Sequence, residues 1–368
     1  MSEAASVIVG GGLAGSAFAI ELARHGKRTV VLEKTGGPHH KVCGEFLSAE
    51  AQDLLAQLGI DVWDMGAAAV THLSLEFGRY HAKFRLPFRG AGLSRFRLDQ
   101  LLLDAAVRCG AEVVRGATVT KLEYDDRSAI VHTVNARLAA SHVALASGKH
   151  NLRGLPRPQA PTVAFKMQLR PGAAGTAMLN EIVHLSMFAG GYAGVCLVED
   201  NIATICWVIE RDLVRDDAST GWTTHANFLS ERSSFYAALL SEATPLWDKP
   251  VAVAAIPYGY LREAVISDVV YPLGDQLVVI PSYTGGGTSL ALHTGLSAAR
   301  AVLSDKSAGE FQKQTIAKLK PQIGWAKLAN IAFVNASAQR LTAAVARLAP
   351  WALPQVATFI VKMTRLRR

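Results

Sequence analysis

Ser6-Val7-Ile8-Val9-Gly10-Gly11-Gly12-Leu13-Ala14-Gly15 is the stretch on which the fold turns. Ser6 to Gly10 is a short apolar, β-branched run, the glycines follow at once, and Leu13 to His25 has helical periodicity that ends at Gly26. Thr29 to Leu32 reads as the next strand. Strand, turn, helix and strand within about thirty residues is the size of a βαβ unit. In its G-x-G-x-x-G pattern Gly10 permits the tight turn, Gly12 lets the backbone approach a pyrophosphate, and Gly15 lets helix and strand pack closely. The amides at the helix start, those of Leu13 and Ala14 included, face phosphate oxygens with the helix dipole behind them.

Glu33 closes the second strand 18 residues after Gly15, with Lys34 next to it. An acid at that position takes the 2′-hydroxyl of an adenosine ribose and disfavours a 2′-phosphate, so FAD or NAD is expected and NADP is not.

Working outward, Gly36 to Phe46 reads as loop, and Ser48 caps a helix running to about Leu58. Leu98 to Cys109 reads as a further helix, followed by short strands from Glu112 to Val134 and an apolar strand near His142 to Ala146. Thr162 to Glu210 alternates apolar and polar residues around Gly190-Gly191, the pattern of a half-exposed antiparallel sheet. Strand character returns at Val269 to Leu273, and a helix follows Gly287. The C-terminal segment reads as helical, interrupted by Pro321, Pro350 and Pro354.

The fold class expected is α/β. It comprises a discontinuous Rossmann-like dinucleotide domain (1–70, 93–160, 265–310), an inserted antiparallel sheet as substrate domain (71–92, 161–264) and a C-terminal helical basic tail (311–368).

The 368 residues are 50% hydrophobic and 18% charged, enough to build a large core and incompatible with wholesale disorder. The net charge of +8 is unevenly spread: residues 311–368 hold ten Lys and Arg and no acid, which leaves the other 310 residues with 28 basic against 30 acidic groups. The catalytic body is therefore near neutral, and no nucleic-acid motif is present. Cys43, Cys109, Cys196 and Cys206 form no Cys-x-x-Cys pair and no His/Cys cluster at metal spacing, so reduced thiols and no metal site are expected. No apolar run reaches the ~18 residues of a membrane span, and Met1-Ser2-Glu3 lacks a basic leader, so a cytoplasmic location is expected. Leu348 to Val361 is almost wholly apolar and is followed by Lys362, Arg365, Arg367 and Arg368. That arrangement suits either peripheral contact with an anionic membrane or a cap over a hydrophobic tunnel.

Three further motifs separate FAD from NAD. Gly274-Asp275 follows a strand, and Thr284-Gly285-Gly286-Gly287 opens a helix carrying Thr288, Ala291, Gly295, Ala298 and Ala299. Lys41-Val42-Cys43-Gly44-Glu45 lies in the loop after the second strand, and Arg95 precedes Leu98, Asp99 and Leu102 at a helix start. In these residues, over roughly positions 5 to 300, the chain resembles the FAD-dependent geranylgeranyl reductases and related aromatic-hydroxylase-type (group A) flavoproteins. That family carries Gly-Asp, Thr-Gly-x-Gly, Lys-x-Cys-Gly and Arg-x-x-Leu-Asp. Gln276 and Leu277 depart from its usual Ala-Ala, and Pro281 is displaced by one residue.

The resemblance implies noncovalent FAD. Asp275, after Gly274, would bond the ribityl chain, and the amides of Gly285, Gly286 and Gly287, with Thr288, would lie under the flavin N1–C2=O edge. Lys41, Val42 and Cys43 would lie beside the isoalloxazine ring, with Arg95 near the cofactor. Cys43 is a candidate for gating, redox tuning or acid chemistry, against the alternative of a small packing residue. Glu45 is a candidate to protonate or orient substrate, against a solvated loop glutamate. His39 and His40 read as a solvent-facing pair.

With one dinucleotide fingerprint, reductant must visit transiently as NAD(P)H or arrive from a redox partner or carrier protein. The expected function is an FAD-dependent oxidoreductase, first a monooxygenase of a hydrophobic polyketide-, quinone- or prenyl-like molecule. The alternative is a reductase of C=C bonds in a prenyl or polyketide chain. A non-catalytic lipid carrier is disfavoured by the intact phosphate loop, Glu33 and Gly274-Asp275. A halogenase is disfavoured because the Trp-x-Trp-x-Ile-Pro segment of that family is missing, and Cys206-Trp207-Val208-Ile209 does not supply it.

Overall fold

Val7, Ile8 and Val9 are buried on both faces of a strand, which is why the opening segment reads as continuously apolar instead of alternating. The computed structural model describes residues 5–213 and 221–334. In chain order the first half runs β1 (Ala5–Val9), α1 (Leu13–Arg24), β2 (Thr29–Glu33), β3 (Phe46–Leu47), α2 (Ala49–Gln57), β4 (Ala68–Phe77), β5 (Tyr80–Gly92), α3 (Arg95–Arg108), β6 (Glu112–Arg115), β7 (Val119–Tyr124), β8 (Ala129–Thr133) and β9 (Arg137–Leu145). The second half runs β10 (Thr162–Arg170), α4 (Ala173–Leu179), β11 (Ile182–Phe188), β12 (Gly191–Leu197), β13 (Ala203–Glu210), α5 (Trp222–Ser230), α6 (Ser234–Leu240), β14 (Thr244–Pro245), β15 (Val251–Ala254), β16 (Val270–Pro272), α7 (Gly287–Leu303) and α8 (Ala308–Val334).

The first sheet has the order β6-β2-β1-β9-β8-β7, with β16 also on β9. The strands β6, β2, β1, β9 and β16 are mutually parallel, while β8 and β7 are antiparallel additions. α1, α3 and α7 pack into one core cluster with Ile8, Val31 and Ala144 of this sheet. Two glycines set how closely these elements meet. A Cβ on Gly15 would fall 2.0 Å from the Gly10 carbonyl oxygen, and one on Gly295 would fall 2.3 Å from that of Ala14.

The second sheet has the order β14-β10-β13-β12-β11-β4-β5-β3, with β15 on β10. One of its pairs, β4 with β11, is parallel, which the expected antiparallel sheet did not include. The two strands leave the first domain on separate excursions of the chain, so no hairpin constrains their direction. One face buries Phe165, Trp207 and Ile209 under α4, α5 and α6. The short helix α4 lies within the Thr162 to Glu210 stretch read as antiparallel sheet.

Two other sequence readings shift. α3 begins at Arg95, three residues before Leu98, because Ser94 caps it by accepting the Arg97 amide. α8 continues through Pro321, expected to interrupt it. Pro321 and Ala317, whose carbonyl loses its partner, are both exposed, so water replaces the missing bond. The apolar and basic stretch 348–368 lies outside the described residues. No described helix is long and apolar enough to cross a membrane.

Candidate functional site

Gly10 leaves β1 at φ +104°, a conformation open to glycine, and a Cβ there would stand 2.6 Å from the Ala146 carbonyl oxygen. The turn delivers Gly12 as the N-cap of α1, which has no side-chain cap, so its first-turn amides point outward without an intrahelical partner. Leu13, Ala14 and Gly15 are buried in that first turn. Glu33, at the end of the adjacent strand, accepts the Gly11 amide at 2.9 Å through Oε2 and the Thr35 amide at 3.0 Å through Oε1. Burial alone would raise its pKa, but the Lys41 charge and the Thr35 and Gly11 donors outweigh it and hold the carboxyl below its ordinary value. Lys34 meets His150 at 3.0 Å.

Two cations converge in front of Gly12. An ideal Cβ there would lie 3.6 Å from both the Arg95 guanidinium and the Lys41 ammonium. Asp99 holds both: it receives Arg95 through Nε at 2.7 Å and Nη2 at 2.9 Å, one helical turn away, and Lys41 at 2.8 Å. Burial pushes the Asp99 carboxyl up, yet Arg95 and Lys41 bring it down to about 2. Two cations thus stand before an uncapped helix N-terminus whose dipole adds to them, the electrostatics of a phosphate site.

The second motif lies across α1. Gly274 (φ +52°) packs between Ala14 and Ala291, and its amide donates to Thr294 Oγ1 at 2.9 Å. Asp275 is partly exposed; its main-chain oxygen accepts Arg157, while its carboxylate has no hydrogen-bond donor among the described residues. Gly285 (φ +66°) and Gly286 lead into α7, which also lacks a side-chain cap. A Cβ on Gly287 would meet nothing within 4 Å, so the space before this helix is open; Thr288 is buried behind it.

The loop of Lys41, Val42, Cys43, Gly44 and Glu45 joins the two sheets. Val42 is buried and its carbonyl accepts Lys149 Nζ at 2.6 Å. Cys43 is partly exposed, within hydrogen-bonding reach of the Arg95 guanidinium. Glu45 is 1% exposed and takes a left-handed φ of +59°. Its Oε1 accepts the Arg95 amide at 2.7 Å and Lys166 Nζ; its Oε2 accepts Gln168 at 2.9 Å and Thr204 at 2.7 Å. It is not the solvated loop residue of the alternative reading. His40 departs from its expected solvent exposure: it lies between Phe96 and Trp247, ring centroids 4.9 and 4.4 Å away. Burial, with the Lys166 charge, brings it down to about 4.

Sequence reasoning missed Lys166, Gln168 and Thr204. The available signal was a lysine and a glutamine within the otherwise apolar Val163–Leu169 run.

A pocket opens between Gly285–Gly286 and the second sheet. Phe46, Leu73, Leu86, Phe88 and Leu185 supply most of its apolar wall, with Tyr192, Gly194 and Cys206 along the strands. Glu50 is the one charged residue among the described residues that line it.

These features fit FAD: a positive, uncapped helix start for a pyrophosphate, a carboxylate for ribose, a donor-free carboxylate at Asp275, and a second open helix start beside an apolar pocket. Residues 3–153 match the family model for the FAD binding domain. That match identifies an FAD binding domain in the N-terminal part of the chain. It is similar to a menaquinone reductase of Mycobacterium tuberculosis, 30% identical over 132 residues, or 34% of this chain. That match spans only about a third (32%) of the reductase. It is also similar to digeranylgeranylglycerophospholipid reductase 2 of Methanosphaera stadtmanae, 24% identical over 339 residues, covering 86% of this chain and 82% of that protein. Among solved structures, the halogenase PltM shares the fold with a TM-score of 0.76 at 15% identity, over 98% of this chain and 83% of its own.

Proposed function

We propose that this chain is an oxidoreductase that holds FAD noncovalently and reacts it with a neutral, hydrophobic small molecule of quinone, prenyl or polyketide type. The observation that carries this reading is the apolar pocket built against the Gly285–Gly286 turn. An anionic substrate would lose hydration there without finding a cationic partner among the described lining residues. FAD, when bound, supplies the hydride chemistry. The protein's share is to seat the pyrophosphate with Gly12, Arg95 and Lys41, to hold the ribityl hydroxyls with Asp275, and to favour a reduced flavin's negative charge with the α7 amides. Cys43 stands at the joint between the Arg95 side and the pocket loop. NAD(P)H is the proposed transient reductant.

Reduction of a C=C or quinone system is the first reading, supported by the reductase relative that aligns along most of the chain. Oxygenation is the second: Glu45 is already engaged by four donors and is not free to protonate a carbon, which leaves Glu50 as the one carboxyl among the described residues of the pocket wall. Photoreduced holoprotein mixed with menaquinone or a geranylgeranyl lipid under argon separates them. Reoxidation of the flavin with a product two mass units heavier supports reduction; product only in air and sixteen units heavier supports oxygenation. No reaction of the reduced flavin with any apolar substrate in either atmosphere overturns the proposal.

A further inference from the structure

We infer that Glu45 is a positioning residue: paired with Lys166, it clamps the Arg95 arm of the FAD site to the substrate sheet instead of donating a proton. Glu45 and Lys166 side chains are both fully buried and ion-paired. The four donors on Glu45 come from two bodies. The Arg95 amide belongs to the start of α3, whose guanidinium faces Gly12; Lys166 and Gln168 belong to β10, and Thr204 to β13. The Glu45 carbonyl takes the Leu93 amide as well, at 3.1 Å.

A second carboxylate repeats the connection one residue earlier. Glu199, which follows β12, accepts the Ser94 amide at 2.8 Å and the Ser94 hydroxyl. The first amides of α3 are thus given to two acids, one on the substrate sheet and one tied to it, where the helix dipole favours negative charge. A left-handed glutamate at the loop's end is a strained conformation that persists because its surroundings over-determine it. With both oxygens saturated, the carboxylate has no lone pair aimed at the pocket.

A balance of charge inside the clamp, and not the two charges themselves, is what it requires. A glutamine at 45 can accept from the Arg95 amide and Lys166 through its oxygen and donate to Thr204 and a flipped Gln168. It leaves Lys166 buried without a counter-charge, the costly half of a broken pair. Replacing both partners by neutral residues removes that cost.

The test uses the FAD-loaded protein, with FAD dissociation constant, melting temperature and flavin midpoint potential as readouts. It rests on Arg95 facing FAD, so Arg95→Ala is the control: unchanged FAD affinity there refutes the FAD-site reading itself. Glu45→Gln is expected to weaken FAD binding about tenfold, the scale of one charge-assisted contact, and to shift the potential. Glu45→Gln with Lys166→Met is expected to recover wild-type FAD affinity within about threefold and to return the potential to the wild-type value. If the single variant fails to fold, the double variant decides alone by the same criterion. Wild-type affinity in a folded Glu45→Gln, or a folded double variant that stays weak for FAD, overturns the inference.

Discussion

Alanine at Gly12 and at Gly15 adds the same methyl group three residues apart and should have opposite consequences. At Gly15 the new Cβ would lie 2.0 Å from the Gly10 carbonyl oxygen and 2.9 Å from Ile8 Cγ2. Non-bonded heavy atoms prefer about 3.5–4.0 Å, and the closer neighbour is backbone in a turn that cannot retreat without separating α1 from β1. Overpacking of this severity costs about 3 kcal/mol, which lowers Tm by roughly 6–12 °C in a unit of this size. At Gly12 the nearest atoms are the flexible tips of Arg95 and Lys41, both 3.6 Å away, and the backbone at φ −82°, ψ −170° suits alanine. Stability should move by less than about 0.5 kcal/mol. The methyl instead occupies the space between the α1 amides and those two cations. Loss of one or two charge-assisted bonds there weakens FAD ten- to a hundredfold, about 1.5–3 kcal/mol. Thermal melts of the apoprotein and titration of FAD fluorescence quenching read the two effects separately. A Gly12→Ala protein that melts many degrees low yet binds FAD normally, or a Gly15→Ala protein with an unaltered melt, would refute this account of the loop.

Glu76 is buried on the second sheet, where it accepts Ser233, Ser234 and Ser186 hydroxyls. Burial would raise it, but His184 and these donors bring it from 4.5 to about 2. A carboxyl depressed in the folded state stabilises above its unfolded pKa, so this contribution, roughly 3 kcal/mol, should vanish as pH falls from about 4.5 to 2. Urea titrations across that range should show a steep loss that Glu76→Gln flattens; parallel slopes in both proteins would count against it. Gly194 lies in the pocket wall opposite Cys206, and a Cβ there would crowd the movable Leu185 Cδ2 at 2.8 Å, with backbone oxygens no nearer than 3.8 Å. Gly194→Val should therefore keep FAD affinity and weaken menadione-induced changes in the flavin spectrum by about tenfold or more, the effect of one or two misplaced methyl groups. Equal responses in both proteins would mean that the pocket does not take the substrate.

Local geometry made the dinucleotide half of this protein legible in its sequence. Gly10 and Gly15 are each required by a backbone distance, to Ala146 just past the adjacent strand and to Gly10 itself, while Gly12 keeps the space before α1 open, so their spacing specified a strand, a turn and an uncapped helix. Glu33 was readable for the same reason, as an acid closing the second strand; Gly274-Asp275 and the Gly285–Gly287 turn were recognised through the family resemblance, as short motifs at the ends of elements. Cys43 and Glu45 showed the limit of that reading. Their segment was recognisable, but whether a carboxylate at 45 meets substrate, solvent or other side chains depends on what folds over it. Lys166, Gln168 and Thr204 arrive from 121 to 159 residues downstream, on strands whose periodicity announces burial but not which partner lies opposite. The parallel pairing of β4 with β11 is likewise a contact between separate excursions of the chain, with no turn to specify it. Sequence determined the elements governed by short-range sterics; the partners of buried charges were decided only when two sheets closed on each other, because a charge is satisfied by whatever atoms surround it in space.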